Sequence, residues 1–128
     1  MKKILSLALS TAIIAFSLIG YANAADMAKG KKVFNKCKAC HTLVAAKHRI
    51  GPSLSGVFGR TAGTSAKYKY SKAMKKSGGG GLVWSEKTMS EYLVKPRAYV
   101  KGTKMAFIGL KKPADIENLM AFLKEAAK

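Results

Sequence analysis

The clearest patterns of apolar and polar residues along the chain are helical. Residues 26–36 predict a helix that Asp26 can cap, because apolar or small residues fall at positions 30, 33, 34 and 37. Residues 113–128 predict a longer helix, with Pro113 in its first turn and acidic side chains near its N-terminus. The apolar face of that last helix consists of Ile116, Leu119, Met120, Leu123 and Ala127.

Two shorter helices are predicted in the middle of the chain. One covers residues 71–76 and is expected to end at the glycine run 78–81, because four consecutive glycines do not hold a helix. The other begins after Ser85, which can act as its N-cap. It is expected to end near Lys95, because Pro96 follows.

The rest of the pattern predicts an all-α fold of about four to five helices joined by long loops. No segment alternates apolar and polar residues as a half-buried strand does. Residues 41–63 and 97–112 lack a regular period, so both are predicted to be loops. Loops of this length in a small domain indicate that a large central ligand organises them.

The first 24 residues have the pattern of a secretory signal peptide. A basic start at Lys2 and Lys3 precedes an apolar run over residues 4–19, and residues 22–24 offer a small-x-small cleavage site. The alternative is an uncleaved membrane anchor, but the apolar run is short for a spanning helix. We therefore expect cleavage after Ala24, export to the periplasm and a single mature domain of residues 25–128.

The chain is strongly basic. It has 128 residues, with 24 Lys and Arg against 6 Asp and Glu and a net charge of +18, while 48% hydrophobic content argues against disorder. Cleavage would leave 22 basic and 6 acidic side chains, a net charge of +16. Such charge is typical of proteins that bind nucleic acid, membranes or acidic proteins, and export argues against nucleic acid.

Cys37, Cys40 and His41 form the motif C-x-x-C-H, the attachment signature for c-type haem. Two thiols about one helical turn apart can form thioethers with the two vinyl groups of one haem, and the adjacent histidine can bind the iron. Thioether formation also explains how two cysteines persist in an oxidising compartment.

Three other interpretations of the motif compete with haem attachment. A thioredoxin-like site follows a strand in a βαβ unit, which is not predicted here. A zinc site needs about four ligands, and His48 is the one obvious further candidate. A plain redox-active disulfide leaves His41 unexplained. The motif therefore predicts one covalently attached haem c with its iron.

Met105 is the methionine that differs from the other five in its setting. It lies in a predicted loop, 64 residues beyond His41, and could approach the opposite face of a haem. A loop methionine can equally be ordinary packing, so spacing leaves both interpretations open. The other methionines of residues 25–128 are expected to pack in the core; they are Met27, Met74, Met89 and Met120.

The chain resembles the class I cytochromes c, of the short bacterial and mitochondrial type, over nearly all of residues 25–128. The segment leading into Cys37 is similar to the family's first helix, and the glycine-rich residues after His41 are similar to its haem-flanking loops. The matching segments are residues 30–37, 51–52, 56–60, 102–107 and 119–123. Five single residues between them keep the family's order and spacing: Trp84, Tyr92, Leu93, Pro96 and Tyr99.

The resemblance implies roles for individual residues around the haem. Met105 becomes the sixth iron ligand, and the carbonyl of Pro52 accepts a hydrogen bond from the His41 ring. Tyr92 would form a hydrogen bond near the Met105 sulfur. Three residues would surround a haem propionate, although the aromatic ones can also serve as core packing; they are Arg60, Tyr70 and Trp84.

The same resemblance implies a close crossing of the first and last helices at Gly30 and Phe122. The chain also departs from the mitochondrial pattern. Lys101 stands where proline is usual, so the Met105 loop lacks the residue that would stiffen it. Met74 stands where asparagine is common. The glycine run 78–81 looks like an insertion relative to the mitochondrial pattern.

The resemblance implies a one-electron carrier that is not an enzyme. Iron held by His41 and Met105 has no vacant position for a substrate. The alternative is a haem enzyme or small-ligand sensor of peroxidase type, which requires a labile Met105. A non-haem thiol oxidoreductase is a third interpretation.

By the same resemblance, basic residues would surround the haem edge, with Phe107 beside it. Expected partners are the acidic docking faces of a quinol-cytochrome c reductase and a terminal oxidase, met transiently by a monomer without stable membrane insertion after cleavage. The alternative is that the basic residues are merely solvated. The basic residues concerned are Lys36, Arg97, Lys104, Lys111 and Lys112.

Overall fold

The computed structural model describes residues 25–128, so the predicted leader and its cleavage site lie outside the described residues. Within this range the regular secondary structure is all α-helical. No strand is present among these residues, although Thr61 and Val83 form an isolated antiparallel bridge. No helix of the described range is long and apolar enough to cross a membrane. The helices are α1 Met27–Phe34, α2 Lys72–Gly79, α3 Glu86–Val94, α4 Pro96–Tyr99 and α5 Pro113–Ala126.

The first and last helices cross at close range, as predicted. A Cβ atom added to Gly30 would lie 2.0 Å from the Asn118 carbonyl oxygen and 2.7 Å from the Phe122 Cβ atom. The backbone N–H of Asp26 also donates to Asn118 Oδ1 at 2.7 Å. The absence of a side chain at position 30 therefore lets the two backbones meet.

Both ends of α3 follow from local sequence. The Ser85 side chain accepts from the Thr88 backbone N–H, and the Thr88 hydroxyl accepts from the Ser85 backbone N–H, which forms a capping box. The helix ends before Pro96, as predicted.

The expectation that residues 97–112 form one loop was wrong at its start, because α4 begins at Pro96. Four residues are too few to give a helical period, so the pattern did not reveal this helix.

The glycine run does not end α2 where the sequence predicted. Ser71 caps the helix by accepting from the Met74 backbone N–H at 3.0 Å, but the helix continues through Gly78 and Gly79. A Cβ atom at Gly78 would lie 1.9 Å from the Ala62 carbonyl oxygen. Glycine is thus required where this helix packs on a neighbouring loop, and that packing offsets the low helix propensity.

The buried residues surround a central cavity rather than filling the middle of the domain. Leu119 and Leu123 of α5, Met89 and Leu93 of α3 and Met74 of α2 are all buried, and all five line this cavity. Three helices thus direct apolar side chains at one space, and the segments between the helices supply the rest of its wall.

Candidate functional site

The cavity is large, mostly apolar and lined from nearly every part of the domain. Its volume is about 560 Å³, within the range of about 300–1,000 Å³ that ligand and cofactor sites occupy. Its exposed lining residues, called the cavity mouth below, are Lys36, Ile50, Lys69, Lys104 and Ala106. All nine residues predicted to contact haem line the cavity: Cys37, Cys40, His41, Pro52, Arg60, Tyr70, Trp84, Tyr92 and Met105.

The two thiols are presented by a tight turn that continues from α1. The backbone N–H groups of Cys40 and His41 both donate to the Cys37 carbonyl oxygen, at 3.0 and 2.9 Å. The two cysteines are not joined in a disulfide, and both are half-buried. Burial raises the pKa of the Cys37 thiol to about 11, so this group is not a reactive thiolate at neutral pH. This shift disfavours, at Cys37, the thiolate that a redox-active dithiol would need.

The His41 ring is held from two sides. Its Nδ1 atom lies 2.8 Å from the Pro52 carbonyl oxygen. Gly51 lies against the ring, since a Cβ atom there would be 2.4 Å from the His41 Cε1 atom. Burial lowers the pKa of His41, against a smaller raising effect of the Pro52 hydrogen bond, which favours the neutral ring. With Nδ1–H donating to Pro52, the Nε2 lone pair is free to bind a metal.

Met105 lies in the loop between α4 and α5, and α3 holds its sulfur. The Tyr92 hydroxyl donates to Met105 Sδ at 3.3 Å, and Thr103 Oγ1 lies 3.3 Å from the same hydroxyl. The Met105 backbone N–H donates to Thr103 Oγ1, also at 3.3 Å. The thioether thereby lines the cavity, with Met105 partly buried against the surrounding core.

The loop is also anchored beyond its methionine. The Leu110 backbone N–H donates to the Leu93 carbonyl oxygen at 2.8 Å, and a Cβ atom at Gly109 would lie 2.1 Å from the Val94 carbonyl oxygen. Lys101, which stands where the mitochondrial pattern has a proline, is exposed in a turn. The turn closes through the Thr103 backbone N–H, which donates to the Val100 carbonyl oxygen at 3.0 Å.

Arg60, Tyr70 and Trp84 are brought to one cavity although they come from separate segments. The Arg60 guanidinium donates to the carbonyl oxygens of Ser53 and Ser55 at 3.0 and 3.1 Å, which leaves further N–H donors for a ligand. Trp84 is buried with its ring 5.0 Å from that of Tyr92. The Tyr70 hydroxyl accepts from the Ser65 backbone N–H at 3.3 Å.

The structure adds residues that sequence reasoning missed. Lys69 belongs to the cavity mouth, and its carbonyl oxygen accepts from Lys104 Nζ at 2.7 Å. No periodicity or motif marks Lys69, because the contact joins residues 35 positions apart. Met74 and Met89, which were expected to be core residues, are buried and also line the cavity. Of the predicted basic ring, Lys36 and Lys104 line the mouth, whereas the other three residues are exposed but do not line the cavity: Arg97, Lys111 and Lys112.

The donor set fits a covalently held haem. Two thiols, an imidazole with a free Nε2 atom and a thioether face one apolar cavity, and Gly51 supplies the flat surface beneath the imidazole. Among residues 25–128 there is no group of three or more His, Cys, Asp or Glu side chains arranged to hold a metal ion together. The zinc interpretation of the motif therefore lacks a ligand set.

Comparisons with known proteins agree with this chemistry. The sequence model of the family "Cytochrome c" matches residues 27–127. The chain is 54% identical to cytochrome c2 of Afifella marina over 99 residues, which cover 77% of this chain and 80% of the relative. It is 46% identical to cytochrome c2 of Agrobacterium tumefaciens over 99 residues, which cover 77% of this chain and 89% of the relative.

A solved structure matches as well. Cytochrome cH from Methylobacterium extorquens superposes with a TM-score of 0.70 at 41% sequence identity, covering 77% of this chain and 97% of that protein. Cys37 and Cys40 accordingly attach one haem c with its iron, and the chain carries electrons rather than catalysing a reaction. This chain belongs to the cytochrome c family.

Proposed function

We propose that the chain is a periplasmic one-electron carrier whose iron is bound by His41 and Met105 and which shuttles electrons between membrane redox complexes. One observation carries the proposal: the Tyr92 hydroxyl directs the Met105 sulfur into the cavity that His41 also lines. The haem bound here supplies an iron that gains or loses one electron at a time.

The protein's contribution is to keep the same ligands in place in both oxidation states. Pro52 and Gly51 hold the His41 ring, and Tyr92 holds the Met105 sulfur, so little movement accompanies a change of charge. The apolar lining excludes water and disfavours added positive charge. Together with methionine and histidine ligation, this environment favours a relatively high reduction potential.

The cavity mouth is where we expect electrons to enter and leave. Lys36, Lys69 and Lys104 lie at this mouth, and Phe107 lines the cavity beside them. A cationic surface of this kind steers association with an acidic partner and gives fast, salt-sensitive encounters. Suitable partners are a quinol-cytochrome c reductase and a terminal oxidase, bound transiently by a monomer.

The location is inferred from the leader. Residues 1–24 have the pattern of a cleaved signal peptide, and export places the domain of residues 25–128 beside membrane complexes and away from nucleic acid. Two bacterial relatives are named cytochrome c2, which agrees with a carrier of this type. N-terminal sequencing of the exported protein would test the cleavage site, with Ala25 as the expected first residue.

The haem-enzyme or sensor alternative needs a sixth position that opens readily. The Met105 loop is instead held by Tyr92, by Thr103 and by the Leu110–Leu93 hydrogen bond. These contacts favour the carrier.

Absorption spectroscopy of the haem-loaded protein tests the ligand assignment. The ferric protein should have the weak Met–iron charge-transfer band at the red end of its spectrum. Met105→Leu should lose this band, whereas Met74→Leu and Met89→Leu, which change the other two cavity methionines, should keep it. A wild-type protein without the band, whose ferrous form binds carbon monoxide rapidly, would contradict the carrier and support the alternative.

A further inference from the structure

The charges of this protein are distributed very unevenly along the chain. Residues 27–85 contain 13 Lys and Arg and no Asp or Glu. The six carboxylates of the described range lie before or after this segment, and five of them form ion pairs. No ion pair in the described part of the chain involves a cation between residues 38 and 85. Residues 38–85 therefore have a positive surface that the protein's own carboxylates do not pair with.

The densest part of this surface is on and before α2. Five lysines fall within ten residues, and all five are exposed. Three of them lie at i, i+3 and i+4 on one side of the helix, while Met74 and Gly78 of the same helix are buried. We call this surface the α2 lysine face; it consists of Lys67, Lys69, Lys72, Lys75 and Lys76.

The α2 lysine face is continuous with the cavity mouth. Met74 lines the cavity from the inner side of α2, so the helix is itself part of the cavity wall. Lys69 belongs to both surfaces, and its carbonyl oxygen accepts from Lys104 Nζ at 2.7 Å. A Cβ atom at Gly102 would lie 3.2 Å from the Ala73 Cβ atom, so the loop of Met105 rests directly against α2.

We propose that the α2 lysine face is a second contact region for the acidic redox partner, whose footprint extends from the cavity mouth across α2. The inference rests on the proposed carrier function and adds the surface that orients the partner. Five like charges in ten residues repel one another in the free protein, and an opposing acidic surface relieves that repulsion. A redox partner is favoured over an anionic membrane because of the adjoining mouth, where electrons are proposed to enter and leave. A lipid surface lying on α2 would cover this mouth and block it, whereas a redox partner exchanges electrons there.

The test compares two triple variants that remove the same charge from different surfaces. K72Q/K75Q/K76Q neutralises the three lysines of the α2 lysine face that lie on the helix itself and outside the mouth. The control, K31Q/K32Q/K47Q, neutralises three exposed lysines that neither line the cavity nor form ion pairs within the described residues. Both triples should keep the melting temperature and the Met–iron band of the wild type, which shows that each still folds around its haem.

The readout is stopped-flow oxidation of the reduced holoprotein by an isolated cytochrome c oxidase in neutral detergent. At an ionic strength of about 10 mM, where charges act over tens of ångströms, the α2 triple should react about tenfold more slowly than the wild type. The control should slow by less than about twofold, and the difference should largely vanish near 0.3 M salt.

Other outcomes overturn the inference. Equal slowing of the two triples would mean that net charge alone matters, and an unchanged rate for the α2 triple would mean that the partner does not reach α2. An α2 triple with normal oxidase kinetics but weakened binding to phosphatidylglycerol vesicles would assign the face to lipid instead. Failure of the proposed function is distinguishable, because it would appear in the wild type as a missing Met–iron band.

Discussion

The Tyr92 hydroxyl donates to the Met105 sulfur at 3.3 Å and so connects α3 to the loop that follows α4. Tyr92 is buried between the Trp84 and Tyr99 rings, whose centroids lie 5.0 and 5.9 Å away. Burial raises the pKa of the Tyr92 phenol, so the group remains a protonated donor. Because a hydrogen bond withdraws electron density from the sulfur, this contact would adjust the properties of the iron that Met105 is proposed to bind.

Replacing Tyr92 with phenylalanine should lower the reduction potential. Without the hydrogen bond the sulfur donates more strongly, which favours the oxidised iron. A hydrogen bond worth about 0.5–1.5 kcal/mol corresponds to a shift of about 20–60 mV, as an upper range. Protein-film voltammetry would measure the shift. Tyr99→Phe removes a phenol that donates to Glu91 at the surface and should leave the potential unchanged; a similar shift in both variants would contradict the assignment.

The crossing of α1 and α5 should not tolerate a side chain at Gly30. Gly30→Ala would place a methyl group 2.0 Å from the Asn118 carbonyl oxygen, and relieving this clash should cost about 2–4 kcal/mol of unfolding free energy. Gly79→Ala is the matched control, because nothing lies within 4 Å of the added atom at this helical glycine. That variant should keep the wild-type stability or gain up to about 1 kcal/mol. Guanidinium denaturation of both variants checks the prediction.

Lys104 and Lys111 should behave differently although both carry one exposed positive charge. Lys104→Ala loses the hydrogen bond from Nζ to the Lys69 carbonyl oxygen and should loosen the Met105 loop by about 0.5–1 kcal/mol. The temperature at which the Met–iron band disappears should therefore fall by a few degrees. Lys111→Ala lacks this effect and should change only salt-dependent reaction rates. Equal thermal shifts in the two variants would show that the Lys104 contact does not support the loop.

The cap of α1 should contribute to the acid stability of the protein. The hydrogen bond from the Lys29 backbone N–H holds the pKa of Asp26 below its ordinary value of 3.8. A carboxylate whose pKa is lowered by folding stabilises the fold above pH 3.8, and that stability is lost as the pH falls through the lower, folded-state pKa. Asp26→Asn keeps an acceptor oxygen but does not titrate. Between pH 5 and pH 2 its unfolding free energy should fall less than that of the wild type; parallel curves would contradict this role.

Several features were predictable because their causes are local. Asp26 and Ser85 cap the helices that follow them, as predicted, since each side chain accepts from a backbone N–H three residues later. Ser71, which the pattern placed within its helix, caps α2 in the same way. The all-α fold class and the end of α3 before Pro96 also follow from short stretches of sequence. The roles of Arg60, Tyr70 and Trp84 stay predictions, although the structure places all three on the cavity.

Other features depend on contacts between distant segments, which periodicity does not encode. The continuation of α2 through Gly78 depends on its fit against the Ala62 carbonyl group. The shared edge between the cavity mouth and α2 depends on Lys104 reaching Lys69. Both were missed because a side-chain pattern describes one element at a time and not the surface that element meets.

The sequence by itself determined the haem chemistry of this protein, because C-x-x-C-H places two thiols and an imidazole within one turn of the backbone. Spacing alone left Met105 undecided between ligand and packing. The tertiary structure brought its sulfur to the Tyr92 hydroxyl at the cavity. It also gathered the lysines of α2 beside the mouth. Both arrangements arise from the packing of distant segments around one cavity, which no local pattern specifies.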